Sequence, residues 1–309
     1  MRHTITDHVM TVNGPIAAQE MGLTLPHEHI LVDFVGAEHA GTHRYDTSDV
    51  VATMRPYLDM ARKAGVRTFV ECTPMFLGRD VRILRTLADL TGLQIITNTG
   101  QYKEPFLPKQ TFQLDAQSLA EQWIGEWEDG IEDDVRPGFI KTAVDPVPLP
   151  PVQEKIVRAA ALTSRETGLV IATHSGKADQ AFEILDILQE TGVSPERWIF
   201  VHAQGEADCR KLREVAEHGA WIELDGIDEN TTEQHIRALL GLLDAGHRDR
   251  ILLSQDAGWY HVGEESGGQK RSYTRLISDF LPRIRQEGVD EDTIRLITVA
   301  NPQAAFRVR

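Results

Sequence analysis

Cysteine is scarce: Cys72 and Cys209 are the only two in 309 residues. One disulfide is arithmetically available but no disulfide framework is, so a reducing compartment fits and the cytoplasm is expected. No stretch approaches the roughly 18 apolar residues of a membrane-spanning helix. The opening "MRHTITDHVMTVNGPIAAQE" lacks the apolar core, roughly 7–15 residues long, of a secretory leader. Positive charge is also short. Lys and Arg number 32 against 47 Asp and Glu, a net charge of −15. Such a surface disfavours nucleic acid and anionic membranes as partners and serves solubility. Low-complexity segments and linkers are missing, so one domain over residues 1–309 is expected.

What is present is a repeat. Apolar residues make up 41% and charged residues 26%, a soluble globular profile. Eight short, nearly continuous apolar runs recur: Leu23–Val32, Val66–Thr73, Leu93–Thr99, Gly138–Val144, Leu169–His174, Trp198–His202, Ala220–Leu224 and Arg250–Ser254. Strands buried on both faces read this way. Helical patterns separate them. "TSDVVATMRPYLDMARKAG" predicts a helix N-capped by Thr47 or Ser48, kinked or broken at Pro56 and ended by Gly65. Others end at Gly92 and Gly168. A helix closing on glycine with a strand soon after is the α-to-β step of a βα repeat. Eight such units predict a (β/α)8 barrel of the α/β class. An open doubly wound sheet would show a glycine-rich phosphate turn after its first strand, and there is none.

In a barrel, the chemistry sits at the C-terminal strand ends. The first run carries "PHEHI", with His27 and His29 two apart, so both face the interior and Glu28 faces outward. The fourth carries Lys141, the fifth ends at His174, the sixth at His202, and Asp256 follows the eighth. A lone histidine on an apolar strand is more often a satisfied core residue than a ligand. Four converging at one barrel end, with a carboxylate, would be costly without a metal. The set suits zinc foremost, or manganese, cobalt, nickel or iron. Lys141 as an ammonium has no lone pair to offer. Converted to a carbamate by carbon dioxide it becomes an anionic ligand with two oxygens that could bridge two metals; otherwise it is a charged residue near the rim.

The motifs "TVNGPI" (residues 11–16), "GLTLPHEHILVD", "GFIKTAV", "THSG", "VHAQGE", "SQDAGW" and "ANPQAAF" occur in order over nearly the whole chain. Together they resemble the phosphotriesterase-related family, including phosphotriesterase-like lactonases, of the amidohydrolase superfamily. The resemblance implies a binuclear centre. His27, His29 and Asp256 would hold the more buried metal, and His174 and His202 the more exposed one. Carboxylated Lys141 and a hydroxide would bridge them. It implies a homodimer by family habit. A metal pair makes hydroxide available near neutral pH. Asp256 is then placed to take its proton and pass it to His202 or solvent.

Tyr102, after the third run, is expected as an orienting or oxyanion-side hydroxyl; the alternative is a rim aromatic. Trp259 and Tyr260 are expected as pocket walls, and His261 as a surface histidine. Gly267 and Gly268 would let their loop move or turn tightly. Relatives that use phosphorylated sugar lactones tend to carry basic residues after the eighth-run aspartate. Here Ala257 and Gly258 stand there, so that substrate requires Lys270 or Arg271 to fold back. Many lactonase relatives read "LDR" after the seventh run; this chain reads "LDGI", with Gly226. His202 and Asp256 are 54 residues apart, little room for the long seventh loop of dedicated phosphotriesterases. The expected function is hydrolysis of a lactone or related carboxylic ester, with weak promiscuous phosphotriesterase activity. The alternatives are a phosphoester hydrolase and, more remotely, a non-catalytic metal-stabilised binding protein.

Overall fold

A computed structural model describes residues 7–308. Residues 1–6, part of the stretch read for a leader and of the expected 1–309 domain, and residue 309 lie outside it. The chain opens with an antiparallel hairpin, β1 (His8–Thr11) and β2 (Gly14–Ala17). Its turn is Asn13-Gly14, with Gly14 at φ +106°, where a side chain would be strained. The hairpin is tied to the third repeat by Val12 N–H donating to the Ile95 carbonyl at 2.8 Å.

The repeat strands follow: β3 (Thr24–Val32), β4 (Thr68–Glu71), β5 (Gln94–Ile96), β6 (Asn98–Thr99), β7 (Phe139–Ala143), β8 (Ile171–His174), β9 (Trp198–Val201), β10 (Trp221–Leu224), β11 (Ile251–Leu253) and β12 (Gly258–His261). Parallel ladders join β12–β3–β4–β5 and β6–β7–β8–β9–β10–β11. The third run, expected as one strand, is broken at Thr97: β5 pairs with β4, and β6 with β7. Asn98 bridges the break by donating Nδ2–H to the Glu71 and Thr73 carbonyls at 3.1 and 3.0 Å. The ring closes just past β11, where Asp256 N–H donates to the His27 carbonyl at 3.1 Å and His29 N–H to the Ala257 carbonyl at 3.0 Å. The fold is the expected (β/α)8 barrel, with helices on its outside.

Two details differ from the sequence reading. The first helix, Thr47–Lys63, is N-capped by Asp46, which accepts from Ser48 N–H and Asp49 N–H, and C-capped by Ala64, one residue before Gly65. It runs through Pro56 without a break. Pro56 is on the exposed face, while Val50, Met54, Leu58 and Ala61 anchor the buried face. Glu28 does point away from the barrel axis, but it is fully buried. It accepts from Ser254 Oγ–H, Gln255 N–H and Ala257 N–H at 2.8, 3.2 and 2.7 Å. Burial raises its pKa to about 8.

A second apolar cluster plugs the barrel floor. Val9 and Met21 from the N-terminal segment and Phe306 from the last helix meet Val70, Phe139, Ile199 and Trp221 from the strands. Cys72 is buried and Cys209 half-buried, both as free thiols. Among the described residues no helix is long and apolar enough to cross a membrane.

Gly258 sits at the seam at φ +93°, where a Cβ would overlap the His29 carbonyl and the Tyr273 hydroxyl. Gly258→Ala is therefore expected to lower stability by about 3 kcal/mol. Urea unfolding measures this, and a loss under about 0.5 kcal/mol would mean the seam relaxes freely.

Candidate metal centre

All six expected ligands meet at the C-terminal mouth of the barrel. β3 delivers His27 and His29 to the interior, and both are buried. β7 delivers Lys141, and β8 ends on His174. His202 follows β9 and Asp256 follows β11, in left-handed backbone at φ +59° and +48°. Ligand atoms of His27, His202 and Asp256 lie within 4.8 Å of one another. Asp256 Oδ1 is 3.0 Å from His29 Nε2 and 3.9 Å from His27 Nε2. His174 Nδ1 is 2.8 Å from His202 Nε2. Lys141 Nζ is 3.4 Å from His27 Nε2.

Three of the four imidazoles are held on their outer nitrogen by protein. His27 Nδ1 is 2.8 Å from Glu223 Oε2, His29 Nδ1 is 2.7 Å from Thr73 Oγ1, and His202 Nδ1 is 2.5 Å from Asp225 Oδ1. Tyr102 OH lies 2.9 Å from His174 Nδ1, on the side facing His202. The remaining Nε2 atoms of His27, His29 and His202 face one another across the mouth. This is the arrangement in which outer partners fix the tautomer of a ligating histidine.

The electrostatics favour ligation. Burial first, then the nearby Lys141 charge among others, holds His27 well below the usual imidazole range. Burial, with neighbouring His202 and Lys141, does the same to His174, and burial lowers His29. These rings are neutral and carry lone pairs. Burial also disfavours the imidazolium of His202, but the Asp225 carboxylate outweighs it and raises that pKa. Asp256 Oδ1 is buried without a hydrogen-bond partner. Among the described residues no carboxylate pairs with the buried Lys141 ammonium. Neutral donors, an orphaned carboxylate oxygen and an unpaired buried cation together fit a divalent metal site with a modified lysine.

Three kinds of residue escaped the sequence reading. The first is the pair Glu223 and Asp225 beneath the histidines. "WIELDG" shows two acids at i and i+2 on a buried strand, the same signal as His27 and His29. Burial and the neighbouring Asp225 push Glu223 well above the carboxylate range. Burial opposes ionisation of Asp225 too, but His202 and His27 hold it well below. The second is Thr73. The third is an aromatic rim. Phe34, half exposed, lies against Trp259, Phe106 and His261, with ring centroids 5.9, 6.1 and 5.8 Å away, and Phe106 reaches Tyr102 at 6.0 Å.

The loop after Asp256 needs a correction. It contains β12, and strand alternation separates its aromatics. Trp259 faces the centre, 4.6 Å from the His29 ring, and His261 stacks on it at 6.0 Å. Tyr260, expected as a pocket wall, turns to the opposite face, where Lys270 lies over its ring at 5.3 Å and Asp46 and Asp49 raise its pKa after burial does. Gly267 packs against the Tyr260 ring, where a Cβ would not fit, so that glycine serves a tight contact. Lys270 and Arg271 do not fold back over the centre. Lys270 donates to the Ser266 and Gly268 carbonyls, and Arg271 to the Gln255 carbonyl at 3.0 Å.

Comparison with known proteins agrees with this geometry. Residues 7–306 match the model of the phosphotriesterase family. The chain is 28% identical to a phosphotriesterase homology protein of Escherichia coli (strain K12), covering 93% of this chain and 98% of that protein. It is 28% identical to an aryldialkylphosphatase of Saccharolobus solfataricus, covering 94% and 96%. Among solved structures it resembles a variant of a phosphotriesterase-like lactonase from Deinococcus radiodurans, with a TM-score of 0.88 and 30% identity over 96% of this chain and 99% of that one.

Zinc titrated into metal-free protein should raise the thermal midpoint. At free metal a hundredfold above Kd the added stability is about 2.7 kcal/mol. Calorimetry with and without a chelator checks it, and an unmoved midpoint would count against a site formed only in the folded chain.

Proposed function

The chain belongs to the phosphotriesterase family of metal-dependent hydrolases, and from that premise we propose that it hydrolyses a lactone or related neutral carboxylic ester. His27, His29 and Asp256 would hold one divalent metal, His174 and His202 the second, and carboxylated Lys141 both. Zinc is the favoured metal on its donor set. When bound, the metals supply a water of lowered pKa and polarise the oxygen of the scissile group.

The chain's own residues do the rest. Asp256, with Oδ1 free of hydrogen bonds, accepts the proton of the attacking water. His202, with Nδ1 against Asp225, is the next proton acceptor toward solvent. The Tyr102 hydroxyl, 2.9 Å from His174 Nδ1, would stand beside the scissile oxygen and orient it. Trp259, Phe34 and Phe106 wall the substrate and exclude water.

The aromatic rim carries the choice of substrate. It presents apolar faces over the centre, while Lys270 and Arg271 are engaged elsewhere, so an uncharged ester fits better than a phosphorylated one. A neutral phosphotriester fits the same wall, which supports a weak second activity in line with the aryldialkylphosphatase relative. A panel of lactones, carboxylic esters and phosphotriesters on the metal-loaded protein tests this. Lactones should give the highest kcat/KM, and a phosphotriester above every lactone would overturn the assignment.

Two variants test the roles. Asp256→Asn should keep most of the metal and lose about 10²- to 10⁴-fold in kcat; parallel loss of metal would make Asp256 mainly a ligand. Lys141→Ala should abolish activity, with partial rescue by short carboxylic acids. Unchanged activity and metal content in that variant would exclude the bridging role.

A further inference from the structure

Asp225 is wholly buried just past β10 and touches one histidine from each half of the centre. Its Oδ1 accepts from His202 Nδ1–H at 2.5 Å and from Gln204 Nε2–H at 2.9 Å. Its Oδ2 accepts from the His202 backbone N–H at 3.1 Å and lies 3.3 Å from Nδ1 of His27. The backbone of Asp225 is clamped as well. Its N–H donates to Gln204 Oε1 at 3.1 Å, and its carbonyl is 2.5 Å from Nε2 of His235. One side-chain amide, that of Gln204, thus holds both the peptide and the carboxylate of Asp225.

Gly226 leaves the room for this. At φ +71°, a Cβ there would sit 3.2 Å from Gln204 Nε2, so a side chain would press on the amide that grips Asp225. The glycine where many lactonase relatives carry arginine therefore belongs with Gln204 and Asp225 as one local solution.

We propose that Asp225, locked by Gln204, is a positioning residue that sets the ligating tautomer of His202 directly and, beside Glu223 at 2.8 Å from His27 Nδ1, supports that of His27, and so couples the two metal positions. A carboxylate has two acceptor oxygens and can take the Nδ1–H of His202 on one while sharing that of His27 with Glu223 on the other, leaving both Nε2 lone pairs toward the metals. An amide in its place has one oxygen. Kept toward His202 and Gln204, it turns its NH2 onto His27 and opposes that ring's Nδ1–H. Turned the other way, it opposes His202. The inference rests on the metal-centre reading above.

The test measures stepwise affinities for Co²⁺, by competition with a chromophoric chelator, in the full chain and in Asp225→Asn and Gln204→Ala. The visible spectrum of bound cobalt reports ligand geometry. Asp225→Asn should weaken both steps about 10- to 100-fold and shift the spectrum. Gln204→Ala should weaken both steps by a smaller, parallel factor while circular dichroism stays native. Should Asp225→Asn fail to fold, Gln204→Glu replaces it; placing a carboxylate against Asp225 should weaken both steps more than alanine does. Loss confined to one step, or none in any folded variant, overturns the proposal. A wild-type chain that takes up two cobalt ions beside unchanged variants defeats only this inference; one that takes up none defeats the metal centre as well.

Discussion

Alternate side chains of a barrel strand point into an interior where little water can compensate a polar atom. That constraint organises the mouth of this barrel. His27 and His29 on β3, Lys141 on β7, and Glu223 and Asp225 at the end of β10 all point inward. The protein satisfies the lower side of this set with Glu223, Thr73 and Asp225. On the upper side the groups face only one another: Nε2 of His202 against Nδ1 of His174, Nε2 of His27 against the Lys141 amine, and Nε2 of His29 against Asp256 Oδ1. The lower side thus has partners from outside the set and the upper side has none. That asymmetry suits a metal site, because an ion entering among these atoms displaces only contacts that the set makes with itself.

Holding the set costs backbone strain. His202, Asp256 and Trp259 are non-glycine residues with positive φ, a conformation unfavourable by roughly 1–3 kcal/mol each. The hydrogen bonds that hold them are those that shape the centre. His202 N–H donates to Asp225, Asp256 N–H to the His27 carbonyl, and Trp259 Nε1–H to the Asp256 carbonyl at 2.9 Å. Strain and ligation are thus tied together, and the plugged barrel floor gives the strands a rigid base from which to hold both.

How far the sequence could be read follows from the same parity rule. Within one recognised strand, two-residue spacing assigns faces, which is why the meeting of His27, His29 and the other strand-end residues at the mouth was legible. The rule failed wherever a strand went unrecognised. "GWYH" was taken as loop, so Trp259, Tyr260 and His261 could not be sorted; as β12, it puts Trp259 and His261 on one face and Tyr260 on the other. The Asn13-Gly14 pair between short alternating segments is a hairpin signal, but there it was absorbed into a motif. Glu223 and Asp225 had the right spacing on a recognised run. Their partners are side chains outside that run, His27 and His202, and that pairing is not written in the spacing. Pairings across elements, such as Phe34 with Trp259 or Gln204 with Asp225, depend on tertiary placement that no spacing encodes.

The division between generic and particular parts of the site follows. The strand-end residues are placed by barrel geometry, so their convergence follows from the strands themselves. The aromatic rim is built from residues just beyond the strands, Phe34 after β3 and Phe106 beyond β6, with Trp259 in β12 joining it to His29 and Asp256. Gly226 links the two regions. It lies one residue past Asp225, near enough to the ligands to matter and at the level of the wall. A side chain there would set its Cβ 3.2 Å from Gln204 Nε2, pressing on the amide that holds Asp225. A change at this one position is therefore felt by the clamp on Asp225 below it as well as by the surface above.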